Sequence, residues 1–233
     1  MTTMAVHAHR GSPDPAAGIR ENTLDAFARA RRLGADGVEL DVRRTRDGAL
    51  AVHHDAVVPG VGAIAELALT ELPEYVPVLA EALDACAALS VNIEIKNLPG
   101  EPGYDPQERL AAAVAELVIA TGRVATVVVS SFWPETLDAV RRAGPAIPTG
   151  LLVAPWFDPA DCVAAALARA CTSLHPAASL VSGELVVEAH SAGLSVAAWT
   201  VNDADGLAAL EAVGVDTVIT DDVPLALSAL GRG

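Results

Sequence analysis

Short apolar runs recur along the chain, each followed by a longer stretch whose Ala and Leu positions repeat with helical spacing. The runs at 4–10, 37–44, 91–96, 125–132, 149–154, 173–177, 195–201 and 216–221 predict strands. Stretches such as 22–34, 105–122, 133–144, 182–193 and 203–214 predict helices. The first of these has Asn22 placed as N-cap and Gly34 just past its end. Strand–helix alternation of this kind calls for a parallel sheet covered by helices.

A further apolar run, "ALAVHHD" at 49–55, does not fit that rhythm. Only the turn at Asp47-Gly48 separates it from the strand at 37–44, too little chain for a parallel crossover. It must return antiparallel, as a hairpin after strand 2. Eight parallel strands remain, which predicts a closed (β/α)8 TIM barrel and a single domain over residues 1–233.

Polar residues interrupt the apolar pattern at one end of strand after strand. His9 and Arg10 end the first strand, Glu39 and Asp41 lie near the end of the second, and Glu94 and Lys96 end the third. Ser130 and Ser131, then His175, then Trp199 and Asn202 follow on later strands. In a (β/α)8 barrel this is the end that carries the active site.

Glu39 and Asp41 are two residues apart on a strand and project to one face, and Glu94 and Lys96 repeat that spacing. Three carboxylates converging in a barrel interior repel one another unless a cation neutralises them. An all-oxygen set suits Mg²⁺, Ca²⁺ or Mn²⁺ rather than Zn²⁺. The alternative is a structural ion-pair network using Arg10 and Lys96. His9 and His54 flank the acids, an arrangement suited to in-line displacement at phosphorus, with one imidazole taking a proton and the other giving one. The ion, Arg10 and Lys96 would then stabilise charge on the phosphoryl oxygens.

The other histidines read differently. Alternation turns His53 to the face opposite His54, His190 falls on an Ala-rich helix surface, and His7 reads as a hydrogen-bonded core residue. His175, at a strand end beside Pro176, is open to either reading.

Composition narrows the function classes. The formal net charge is -15, from 15 Lys and Arg against 30 Asp and Glu, which excludes nucleic-acid binding through a basic patch. Hydrophobic residues make up 52% and aromatics only 3%, so Trp156, Phe157 and Trp199 are candidates for pocket walls as well as core filling. Cys86, Cys162 and Cys171 form no CxxC pair and predict buried thiols in a reducing compartment. Neither a signal peptide nor a long apolar span is visible, so stable membrane insertion is not expected and a cytoplasmic location is.

The motifs "AHRG", "ENTLDAFARARRLGADGVELDVRRTRDGALAVHHD", "IEIK", "VSSF", "WTVN" and "VITD" together resemble the glycerophosphodiester phosphodiesterases, from His9 to Pro224. The resemblance implies a metal-dependent barrel enzyme that hydrolyses glycerophosphodiesters, its small-molecule substrates, to glycerol 3-phosphate and an alcohol. It implies Glu39, Asp41 and Glu94 as metal ligands, His9 and His54 as the acid–base pair, and Arg10 and Lys96 as phosphate contacts. Glu21 matches an acid near the site, and Trp199 a residue lining the glycerol pocket. Attack by water or by the glycerol 2-hydroxyl are both consistent with it. One departure is the segment after "HHD", which is brief and apolar and implies a reduced cap insertion. The loop 97–107 offers a lid over the same mouth, walled by Trp156 and Phe157, or else a solvated connector. Two further readings are a lyase-type phosphodiesterase releasing a cyclic phosphate and a non-catalytic phosphate-ester-binding barrel.

Overall fold

The computed structural model describes residues 3–155 and 161–233. Its parallel strands are β1 (Ala5–Ala8), β2 (Gly37–Arg44), β6 (Ser90–Ile95), β7 (Val127–Ser131), β8 (Thr149–Val153), β9 (Ser173–Pro176), β10 (Ser195–Ala198) and β11 (Thr217–Thr220). They pair in chain order, and β1 pairs with both β11 and β2, which closes the barrel. The remaining strand of the sheet, β3 (Leu50–Val52), runs antiparallel to β2. The expected (β/α)8 TIM barrel with a hairpin after the second strand is the observed fold.

The helices are α1 (Leu24–Leu33), α2 (Leu79–Ala85), α3 (Arg109–Ala120), α4 (Pro134–Ala143), α5 (Cys162–Ala168), α6 (Gly183–Ser191), α7 (Ala204–Val213) and α8 (Val223–Ala229). Strand alternation builds two layers. Val6, Ala8, Val38, Leu40, Val42, Val91 and Ile93 pack outward against the helices in one continuous core. Their alternates His7, Glu39, Asp41, Asn92 and Glu94 take the opposite face, the barrel interior. The side chains that disturbed the apolar pattern are therefore the ones that fill the barrel.

The cap of α1 differs from expectation. Thr23, not Asn22, is its N-cap, with Oγ1 accepting from the Ala26 N–H. Asn22 is diverted because its amide is bonded to Asp41 on β2.

The segment after His54 builds a small lobe. The ribbon of β4 (Val57–Val58) and β5 (Gly62–Ala63) leads into two short 3-10 turns. Ala51, Val58, Ile64, Leu72 and Val76 form a second small core beneath it, with Tyr75 packed on its edge.

The loop 97–107 is a pinned connector rather than a free lid. Asn97 and Asp105 exchange two hydrogen bonds, and Arg43 pairs with Glu101 at 2.9 Å. Trp156 and Phe157, expected beside it, lie outside the described residues. Cys86, Cys162 and Cys171 are all buried. No helix among the described residues is long and apolar enough to cross a membrane.

Candidate active site

The tight start of α1 shapes the first wall. Arg10 and Gly11 follow β1 with φ of 53° and 77°. A Cβ at Gly11 would lie 2.9 Å from Ala26, so the close passage of this turn over α1 requires glycine. Arg10 has no such licence. Its left-handed backbone is held by its N–H on Glu39 Oε2 (3.0 Å) and its carbonyl under the Asn22 N–H (2.9 Å).

Strand register brings the acids together. Asp41 lies beside Glu94 and Glu39 beside Asn92 across the β2–β6 ladder. Ligand oxygens of Glu39, Asp41 and Glu94 all fall within 4.8 Å of one another, and all three residues are buried. Lys96 Nζ pairs with Glu94 and lies 3.1 Å from Asp41 Oδ1, while Arg10 Nε is 3.5 Å from Asp41 Oδ2.

The electrostatics are unbalanced. Burial would push all three carboxyls up, yet Lys96, His54, Arg10 and the Asn22 amide together hold Asp41 below its ordinary value. Glu39 is not rescued: burial, with Asp41 behind it, pushes its carboxyl up to about 8. Burial also raises Glu94, against the pull of Lys96. Lys96 is held well above its usual range by Glu94 and Asp41, against its own burial. Two cations therefore face three carboxylates. Glu39 Oε1 is buried with no hydrogen-bond partner among the described residues. An orphaned carboxylate oxygen amid three buried acids fits a hard divalent ion.

His9 and His54 stand on either side of this cluster. His9 Nδ1 is 2.7 Å from Asp221 Oδ1, and its Nε2 is 4.0 Å from Glu39. The hairpin delivers His54: the His53 N–H donates to the Asp41 carbonyl, and Arg43 Nε donates to the His54 carbonyl. His54 Nδ1 is then bonded to Asp55 Oδ1 at 2.7 Å. Burial works against protonation of both rings, but Asp221 and Glu39 leave His9 raised, whereas His54 remains lowered.

A cavity of about 280 Å³ joins these groups, lined by His9, Arg10, Glu39, His54, Glu94 and Lys96 on its polar side. Phe132 and Trp199 close its apolar side, their rings edge to face at 5.6 Å. Trp199 Nε1 donates to the His175 carbonyl. Glu21 holds Arg10 Nη1 at 3.0 Å.

Of the two readings open for His175, the structure favours the buried core residue. The His175 side chain does not reach this cavity. It turns into the lower barrel, with Nε2 bonded to Ser173 Oγ, over Gly150, where a Cβ would lie 2.4 Å from the ring. Burial there lowers its pKa to about 3. His53 lines the outer groove beside His54, but only His54 of the two lines the inner cavity, and His53 Nδ1 is bonded to the Asp55 carbonyl. His7 is the buried core residue expected, bonded to Ser90 Oγ, and His190 is exposed and bonded to Asp216.

Sequence reasoning missed Asp221, Phe132, Asn92 and the bonding role of Asn22. The acid at the end of "VITD" was a signal for Asp221. Asn202, noted only as a strand-end residue, bonds Asp221 Oδ2 through Nδ2 at 2.6 Å.

Fold and site together define a (β/α)8-barrel enzyme with an acid cluster set between two imidazoles. The chain belongs to the glycerophosphoryl diester phosphodiesterase family, whose model matches residues 9–225, and it is an enzyme of that class. It is 32% identical to a glycerophosphodiester phosphodiesterase of Caldanaerobacter subterraneus, over all of both chains. Its fold superposes on a glycerophosphodiester phosphodiesterase of Thermotoga maritima with a TM-score of 0.80 at 27% identity, covering 98% of this chain and 99% of that one. An Oleispira antarctica phosphodiesterase, solved in complex with the product sn-glycerol-3-phosphate, gives a TM-score of 0.84 at 25% identity, covering 98% and 97%.

Proposed function

We propose that the chain acts as one catalytic unit that hydrolyses glycerophosphodiesters to glycerol 3-phosphate and an alcohol, with a divalent ion held by Glu39, Asp41 and Glu94. The observation that carries this reading is the convergence of three buried carboxylates between His9 and His54 in one cavity. Mg²⁺ or Ca²⁺ suits the donor set, and Mn²⁺ shares its preference for oxygen. Such an ion, when bound, polarises a phosphoryl oxygen and neutralises charge as it develops.

The chain's own residues supply the rest. Arg10 and Lys96 meet the remaining phosphoryl oxygens. Phe132 and Trp199 offer an apolar wall to the glycerol carbons. Asp221 and Asp55 engage the Nδ1 atoms of the two histidines, which leaves Nε2 of each for the reacting oxygens. One imidazole accepts the proton of the attacking hydroxyl as its oxygen bonds to phosphorus. The other gives a proton to the alcohol oxygen as its P–O bond breaks. Binding alone would not need two imidazoles so placed. Glu21 acts through Arg10, holding the guanidinium across the cavity mouth.

Hydrolysis of glycerophosphocholine, glycerophosphoethanolamine and glycerophosphoglycerol by the purified protein tests the reading. Release of glycerol 3-phosphate is expected, and a His54→Ala variant retaining full rate would sink the acid–base assignment. The same digestion in ¹⁸O-labelled water separates direct hydrolysis from a cyclic phosphate route.

A further inference from the structure

Two cavities meet at His54. The inner one holds the acids and Trp199. The outer one, about 670 Å³, runs from His54 between the 13–22 turn and the small lobe after the hairpin. A phosphodiester has two arms. With the glycerol arm against Phe132 and Trp199, the other arm passes His54 into the outer groove.

We propose that this groove is a leaving-group subsite that selects hydroxyl-rich, uncharged alcohols, with Arg20 and Tyr75 as its specificity residues. The proposal rests on the phosphodiesterase reading above.

The argument turns on which charges in the groove are still open. Its walls are the flat apolar faces of Pro13, Pro15, Ile19 and Tyr75, and its polar groups include Arg20, Glu21 and Asp55. A quaternary ammonium would seek an aromatic face and a free carboxylate. Tyr75 has its face already covered by the Arg20 guanidinium, 4.4 Å from the ring centroid. Glu21 is taken by Arg10, and Asp55 Oδ1 by His54. An anionic leaving group would share the groove with the Glu21 and Asp55 carboxylates, in a protein of net charge -15. Neither sign of charge is favoured.

What remains open is a set of hydrogen-bonding groups beside rigid apolar faces. Arg20 has no ion-pair partner among the described residues, and its planar N–H fork stays available to hydroxyl oxygens. Glu21 Oε2 and Asp55 Oδ2, the oxygens not bonded to Arg10 and His54, accept from hydroxyl hydrogens. The faces of Pro13, Pro15 and Ile19 pack on the C–H side of a polyol or ring, while Tyr75 holds the Arg20 guanidinium in place. Tyr75 is preorganised for this, because it sits against the second small core of Ala51, Val58, Ile64, Leu72 and Val76. The lobe after the hairpin thus contributes one wall of the groove.

The test compares four diesters that share the glycerol 3-phosphate arm. Glycerophosphoinositol and glycerophosphoglycerol are expected to show kcat/KM at least tenfold above glycerophosphocholine and glycerophosphoethanolamine. Arg20 is exposed, so Arg20→Ala tests the subsite without threatening the fold. It should cut the polyol preference threefold or more, mainly by lowering kcat/KM for the polyol substrates. Tyr75→Ala should do the same, Tyr75→Phe should largely keep the preference, and melting curves confirm folding. Equal rates on all four diesters, a preference for the choline substrate, or an Arg20→Ala preference equal to wild type would overturn the subsite and leave the phosphodiesterase reading standing. Failure to turn over any of the four would overturn both.

Discussion

His9 Nδ1 lies 2.7 Å from Asp221 Oδ1, although 212 residues separate them along the chain. Asp221 is itself fixed: Asn202 donates to its other oxygen and accepts from its backbone N–H, and Thr220 Oγ1 bonds the same Asn202. Barrel closure between β1 and β11 makes this possible, because it puts the first and last strand ends side by side.

Asp221 is therefore a positioning residue for His9. Asp221→Ala should lower kcat roughly 10²-fold, within the range expected for disturbing a general acid or base. KM should change by less than threefold and the melting temperature by little, since the Asp221 side chain is about half exposed. Steady-state kinetics with thermal melts check this, and Asp221→Glu should restore part of kcat if the role is positional.

Glu39 links pH, metal and stability. Its folded pKa is raised above the unfolded value, so the metal-free protein holds this proton where the unfolded chain has lost it. That part of stability is present below the unfolded value of 4.5 and fades as pH rises toward about 8. Added Mg²⁺ or Ca²⁺ should consequently raise the melting temperature more at pH 8 than at pH 5.5. Glu39→Gln should stabilise the metal-stripped protein at pH 8 while abolishing the ion's effect. Differential scanning calorimetry of both proteins reads the outcome.

The lower barrel makes an opposite prediction. Burial depresses His7 to about 4 and His175 to about 3, so both stay neutral in the fold after the unfolded chain has begun to take up protons. Stability of the metal-loaded protein should fall as pH drops below the unfolded value of 6.5 and continue to fall toward pH 4. The slope is at most about 1.4 kcal/mol per pH unit for each histidine. Urea unfolding across pH 4 to 7 measures it, and His7→Gln, which can still bond Ser90, should flatten the curve.

Phe132 and Trp199 act as one wall. Trp199→Ala should raise KM about tenfold for glycerophosphodiesters, in line with the ~1 kcal/mol of an aromatic pair plus lost apolar contact. Phe132→Ala should do nearly as much, because each ring holds the other. Their double variant should fall short of the product of the two single effects.

How much of this was legible in the chain depended on whether the signal was local. Strand period and the short turn at Asp47-Gly48 carried the barrel and the hairpin, and same-face spacing carried Glu39, Asp41 and Glu94. Parity also put His175 inside the barrel, but parity cannot say whether a side chain tips toward the upper or the lower mouth. Gly150, on the neighbouring strand, made room below, and the ring went there. Asn22 was expected to cap α1, but its amide is bonded to Asp41 on β2, a contact no local pattern shows, and Thr23 caps instead. Asp221 was visible at the end of "VITD", but its pairing with His9 was not, since the two lie at opposite ends of the chain.

The central claim is that three carboxylates at the barrel mouth hold a divalent ion needed for diester hydrolysis. Its most direct measurement is the rate of glycerol 3-phosphate release from glycerophosphoglycerol by protein exhaustively stripped with chelator, before and after Mg²⁺ or Ca²⁺ is returned. The account predicts near-complete loss on stripping, recovery with the ion, and no recovery in Asp41→Asn. An unchanged rate in metal-free protein would contradict it.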